Sequence, residues 1–139
     1  MNRTQAGSVI ATPADAAALI RAALPKEQRE ERVFVLPLDG NGKVLAKPIL
    51  VSVGHADGTA MIDAGAIFRE ALKAGAEEIF VAHNHPSCDL TPSKADIAAT
   101  KELKGLAARL GVVFLDHIIL GSDDSVEGRN FVSLAEQGI

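Results

Sequence analysis

The 139-residue chain contains no tryptophan, no tyrosine and only five phenylalanines. Most of the flat aromatic platforms on which single-stranded bases stack are therefore missing. A single cysteine, Cys88, excludes an internal disulfide and suits a reducing compartment. Positive charge is scarce as well: 14 Lys and Arg against 18 Asp and Glu leave a net charge of −4, with the basic residues scattered. With no basic stripe to meet a phosphate backbone, direct nucleic-acid binding is disfavoured. No apolar run approaches the ~20 residues of a membrane-spanning helix. The first dozen residues also lack the charged-then-apolar order of a secretory signal. Together these absences lead to the expectation of a cytoplasmic protein with no membrane segment.

What is present is an ordinary globular balance, 47% hydrophobic and 23% charged, in a length that suits one domain with a sizeable core. Residues 1–11 read as a loose leader. Thr12-Pro13-Ala14-Asp15 has the makings of a helix start, with a hydroxyl cap, proline at the first position and an acid near the positive helix end. That helix is expected to run to Leu24 and stop at Pro25. A strand is predicted from Arg32 to Leu38, a turn at Asp39-Gly40-Asn41-Gly42, and a second strand from Lys43 to Val53, with Pro48 marking an edge or a bulge. Gly54 to Thr59 reads as a loop that leaves His55 at the surface. A helix follows from Asp63 to Lys73, closed by Gly75, then a strand from Ile79 to His83. Thr91-Pro92 is expected to open a helix that ends at Leu110–Gly111, before strands at Val112–Leu120 and Phe131–Leu134. The order α-β-β-α-β-α-β-β predicts an α/β or α+β sandwich, a mixed β-sheet with helices against it.

The chemistry concentrates in His83-Asn84-His85-Pro86-Ser87-Cys88-Asp89-Leu90-Thr91-Pro92-Ser93-Lys94-Ala95-Asp96. Strand side chains alternate faces, so His83 and His85 at a strand end point the same way. Two imidazoles on one face are half of a tetrahedral zinc site, and Asp96 is a candidate third ligand. Three protein ligands and an open fourth position describe a catalytic site rather than a structural one. Ser93 and Asp96, three apart in the first turns of a helix, share a face that looks back at the histidines. A Ser-x-x-Asp box is by itself a common helix start; beside an H-x-H pair it gains a second meaning. A hydrolase also needs a carboxylate to move protons, and Glu27, Glu30 and Glu31 are the upstream candidates. His117, in an apolar strand beside Asp116, reads as support for the sheet or a neighbouring carbonyl. A zinc deaminase is excluded, because its H-x-E and Pro-Cys-x-x-Cys elements are missing.

The pattern H-x-H-x7-S-x-x-D with an upstream glutamate resembles the JAMM, or MPN+, metalloprotease signature. More narrowly, His83-Asn84-His85-Pro86-Ser87, Thr91-Pro92-Ser93, Ala95-Asp96-Ile97 and Leu115-Asp116-His117-Ile118-Ile119 resemble the bacterial RadC family. The resemblance runs from about Glu31 to the C-terminus. It implies a JAB/MPN, cytidine-deaminase-like architecture over 31–139, preceded by a leader and helix over 1–30. By the same resemblance His83, His85 and Asp96 bind Zn2+, Glu31 is the general acid/base, and Ser93 donates a hydrogen bond to the water or the oxyanion. The reaction implied is hydrolysis of a peptide or isopeptide bond in a peptide or protein substrate.

The chain departs from the RadC pattern at three places. Cys88 and Leu90 stand where glycine and proline are usual, which makes Cys88 a further candidate ligand or oxidation site. Ile62-Asp63-Ala64-Gly65-Ala66 replaces a more polar segment, and no helix-hairpin-helix region is expected ahead of the domain. The competing expectations are a catalytically silent MPN-type interaction module and a DNA-repair-associated protein, the label RadC carries.

Overall fold

The structure, a computed structural model, describes residues 7–55, 62–86, 89–121 and 130–139. Thr12 caps α1 (Pro13–Arg21) as its sequence predicts: its hydroxyl accepts from the Asp15 N–H at 3.2 Å, and the Asp15 carboxylate accepts from the Thr12 N–H at 3.1 Å. The helix ends at Arg21 rather than Leu24. The amides of Ala23 and Leu24 bond three residues back, to Ile20 and Arg21, so the expected last turn is a tighter exit.

Strand β1 (Glu30–Leu38) begins two residues earlier than Arg32, which puts Glu31 inside the sheet. The second strand is shorter than predicted: β2 spans Ile49–His55, while Lys43 and Val44 make only isolated bridges to Val9 and Leu38. Pro48 has no N–H to give a ladder, so regular pairing starts after it. As expected, β2 is an edge strand. It also carries a bulge, since Val33 faces Ser52 but Phe34 faces Leu50, leaving Val51 as the extra residue. Strand character reaches His55, correcting the expected loop; its side chain and residues 56–61 lie outside the described residues.

Helix α2 (Ala64–Lys73) is capped by Asp63, and Gly75 follows it at φ +76°. Strand β3 (Glu78–His85) extends through both histidines. Helix α3 (Lys94–Leu110) starts two residues later than predicted, with Ser93 rather than Thr91 as its cap. The Thr91 amide is instead tied to the Asp89 side chain at 3.1 Å. Strands β4 (Val113–Gly121) and β5 (Phe131–Ser133) complete the sheet, followed by a short 3-10 turn at Ala135–Gln137.

The sheet order is β2-β1-β3-β4-β5, with β3 and β4 parallel and the other pairs antiparallel. Alternation divides its residues between two cores. Phe34, Leu36, Leu38, Phe80, Ala82, Ile118 and Leu120 pack with Ala16, Ala17, Leu19 and Ile20 of α1. Val33, Val35, Ile79 and Val81 pack on the opposite face with Ile67 and Phe68 of α2 and Leu103 and Ala107 of α3. This is the α+β sandwich expected, a mixed sheet between helical layers. Odd-numbered residues of β1 and β3 belong to the α2/α3 face, which determines where Glu31, His83 and His85 point.

Candidate metal centre

At the carboxyl end of the parallel strand β3, the row Ile79-Val81 stops being apolar and continues as His83 and His85. Helix α3 begins opposite, and its first turn delivers Asp96. Ligand sites in sheets with parallel strands favour this position, beyond strand ends and beside a helix N-terminus. His83, Asp96 and Glu31 are buried and His85 is partly buried.

The Nε2 atoms of His83 and His85 are 2.9 Å apart. Each faces one oxygen of the Asp96 carboxylate, His83 to Oδ1 and His85 to Oδ2, both at 3.4 Å. Ligands about 2.0–2.1 Å from a tetrahedral metal lie about 3.4 Å from one another, which the two His–Asp96 separations match; the two Nε2 atoms, at 2.9 Å, stand closer than that. Glu31 Oε1 lies 3.8 Å from His85 Nε2, and Glu31, His83 and His85 form a group able to hold a metal ion, with ligand atoms within 4.8 Å of one another. The site thus offers two imidazoles and two carboxylates. Asp96 approaches both rings more closely than Glu31 approaches His85.

The carboxylates are held differently. Asp96 Oδ2 accepts from the Ser93 N–H at 2.9 Å, and the Ser93 hydroxyl accepts from the Asp96 N–H at 3.0 Å, so the expected Ser-x-x-Asp box is a reciprocal cap. One feature therefore starts the helix and aims the carboxylate. Glu31 is oriented by its strand. Its rivals are engaged elsewhere: Glu27 with Arg29 at 3.2 Å and Glu30 with Arg32 at 3.4 Å, towards solvent.

Electrostatics follow from this crowding. The neighbouring Asp96 carboxylate raises His85 above its usual imidazole value of 6.5, against the opposing effect of burial. Burial would raise Asp96, but the two imidazoles and the Ser93 amide outweigh it and hold Asp96 well below the usual carboxylate range. Burial, assisted by repulsion from His83, pushes His117 down to about 3.

Two supporting residues, Thr100 and Asn84, have no counterpart in the sequence reading, and a third, His117, is the support expected but with a different partner. His117 contacts His83 rather than a carbonyl, with Nε2 2.8 Å from His83 Nδ1. Thr100 Oγ1 lies 2.7 Å from His117 Nδ1 and donates to the Asp96 carbonyl at 2.8 Å. It stands four residues after Asp96, hence on the same helix face, a spacing visible in the sequence. Asn84, between the histidines, necessarily faces the other side of β3. There its Oδ1 accepts from the Arg32 N–H at 2.7 Å and its Nδ2 donates to the Glu30 carbonyl at 3.1 Å. Asn84 therefore clasps the backbone on both sides of Glu31. His85 Nδ1 donates to the Asp89 carbonyl at 2.7 Å. Asp116 accepts from the His117 and Ala135 amides and from Ser133 Oγ, tying β4 to the C-terminal segment. Cys88 lies outside the described residues.

The family described as "RadC-like JAB domain" matches residues 10–139. A UPF0758 protein of Clostridium perfringens is 36% identical over 130 residues, 94% of this chain and 53% of the relative. Another, of Acaryochloris marina, is 41% identical over 127 residues, 91% of this chain and 51% of the relative. A third, of Carboxydothermus hydrogenoformans, is 43% identical over 98 residues, 69% of this chain and 42% of the relative. The chain spans about half the length of the curated relatives it matches.

Proposed function

The chain belongs to the RadC-like JAB domain family, and from that membership we propose that it is a zinc-dependent hydrolase of a peptide or isopeptide bond. The observation that carries the reading is the convergence of His83 Nε2, His85 Nε2 and the Asp96 carboxylate within 2.9–3.4 Å of one another, close enough to share one cation, with Glu31 buried beside them. His83, His85 and Asp96 would hold the zinc. When bound, zinc lowers the pKa of a water to about 7 and polarises a carbonyl oxygen.

The remaining work falls to the protein. Glu31, farther from the rings than Asp96, takes the proton of the attacking water and passes it to the leaving nitrogen. Such proton transfer contributes about 10²–10⁴-fold. The Ser93 hydroxyl uses a lone pair to cap α3, which leaves its O–H able to donate to the developing oxyanion. A donor of that kind is worth about 2.7–4 kcal/mol in the transition state. The substrate is proposed to be a peptide or protein.

The test is zinc content and affinity of wild type, His83→Ala, Asp96→Asn and Glu31→Gln, followed by hydrolysis of a panel of peptides and isopeptides. We expect about one zinc per chain in wild type, loss of it in His83→Ala and Asp96→Asn, and retention with lost hydrolysis in Glu31→Gln. Zinc lost from Glu31→Gln but kept by Asp96→Asn would exchange the two carboxylate roles. A wild-type protein that takes no zinc would leave a silent interaction module instead.

A further inference from the structure

Behind His83 runs a chain of buried polar groups that zinc ligation does not itself require: Asp96 carbonyl, Thr100 hydroxyl, His117 ring, His83 ring. The four residues come from α3, β4 and β3. The proton positions in it are determined by a single contact. Thr100 Oγ1 and the Asp96 carbonyl oxygen are 2.8 Å apart. Two oxygens at that distance need a proton between them, and a carbonyl has none, so the hydroxyl donates. Having spent its only proton, Thr100 Oγ1 can only accept from His117 Nδ1 at 2.7 Å. A neutral His117 protonated on Nδ1 has a bare Nε2, which accepts from His83 Nδ1 at 2.8 Å. His83 then carries its proton on Nδ1 and exposes the Nε2 lone pair.

We propose that Thr100 and His117 are positioning residues that set the tautomer of His83, so that its Nε2 lone pair faces the metal centre. If the chain ran in the opposite direction, His117 would donate to His83 Nδ1 and the proton would sit on His83 Nε2, where it would block ligation. That arrangement would also leave the Thr100 and Asp96 oxygens facing each other without a proton. The chain begins and ends on the site: it starts at the backbone of one proposed ligand, Asp96, and finishes at another, His83. His85 likewise donates from Nδ1, to the Asp89 carbonyl, so the proton it exchanges with a metal is the one on Nε2, which points at the His83 Nε2 lone pair 2.9 Å away. Metal-ligating histidines characteristically depend on such a partner on their second nitrogen. Here the partner is a buried imidazole instead of a carboxylate, so no further negative charge is added.

The inference rests on the metal-centre reading for its purpose but not for its test. Long-range ¹⁵N–¹H correlation spectra of the metal-free full chain report directly which ring nitrogen is protonated. Expected are Nδ1–H tautomers for both His83 and His117. Thr100→Val keeps the shape and removes the hydroxyl; it is expected to release His117 from this tautomer and lower zinc affinity by about 10–100-fold. Thr100→Ser is expected to restore both. An Nε2–H proton on His83 or His117 in wild type overturns the proposal, as does an unchanged spectrum and affinity in Thr100→Val. The wild-type spectrum decides the matter even if a variant fails to fold. Should wild type show the expected tautomers yet bind no zinc, the positioning role stands and the hydrolase reading falls.

Discussion

At the level of single side chains, the Asp96 carboxylate raises the basicity of His85, so in the metal-free site a proton competes with a cation for the same nitrogen. Zinc binding displaces whatever proton His85 holds there. Binding heats measured by calorimetry should therefore differ between buffers of different ionisation enthalpy, and affinity should climb with pH until His85 is deprotonated. Equal heats in all buffers would mean that His85 is already neutral. Asn84 makes a second residue-scale case. Asn84→Ala leaves the Arg32 N–H and the Glu30 carbonyl without their side-chain partner, which should cost about 1–3 kcal/mol of stability. Because those groups flank Glu31 and not the proposed zinc ligands, hydrolysis should fall while zinc affinity holds. A parallel loss of zinc would show that Asn84 supports the whole strand end.

Among the elements, α1 and α3 provide an internal comparison. Both start with a reciprocal cap, Thr12 with Asp15 and Ser93 with Asp96, but only the second acid reaches the histidines. Thr12→Ala and Ser93→Ala should each destabilise the metal-free protein by about 1 kcal/mol in urea unfolding. Only Ser93→Ala should also weaken zinc binding, because fraying of its first turn frees the Asp96 carboxylate. Equal zinc affinity in the two variants would reduce Ser93's part in metal binding to that of a cap. Arg21, at the far end of α1, donates to the carbonyls of Gly121 and Asn130 at 2.8 and 2.7 Å and so joins that helix to the end of β4.

For the whole molecule, the buried neutral His117 couples the site to global stability. Its folded value, about 3, lies below the 6.5 of an exposed imidazole. Between these values the unfolded chain binds a proton that the folded one refuses, so stability falls as pH is lowered through that window. The slope approaches about 1.4 kcal/mol per pH unit. Asp96, held below its usual range, adds a loss in the same direction only below about pH 3.8. Chemical denaturation of the metal-free protein from pH 7 to 4 should show this decline, and His117→Gln should flatten it. An undiminished slope in that variant would assign the effect to another group.

Much of this protein was legible in one dimension because its signals are local. Caps such as Thr12-x-x-Asp15, the glycines after α2 and α3, and period-two alternation in β1 and β3 each depend on residues within one or two turns. The motif His83-x-His85 and Ser93-x-x-Asp96 was equally readable, since a strand end and a helix start orient their own side chains. Strand and helix ends were less so: β2 starts only after Pro48, and α3 is capped by Ser93 rather than Thr91, because a ladder bond or cap goes to whichever group the folded neighbours leave available. Choosing Glu31 over Glu27 and Glu30 by geometry required the antiparallel pairing of β1 with β3, a contact across about fifty residues of chain. The same holds for His117, Thr100 and Asn84, whose partners sit on other elements. The sequence by itself determined the elements, their order and the ligand-rich motif. Tertiary structure alone decided which acid stands beside the histidines and which way their lone pairs face, because hydrogen-bond direction depends on partners that only folding brings within 3 Å.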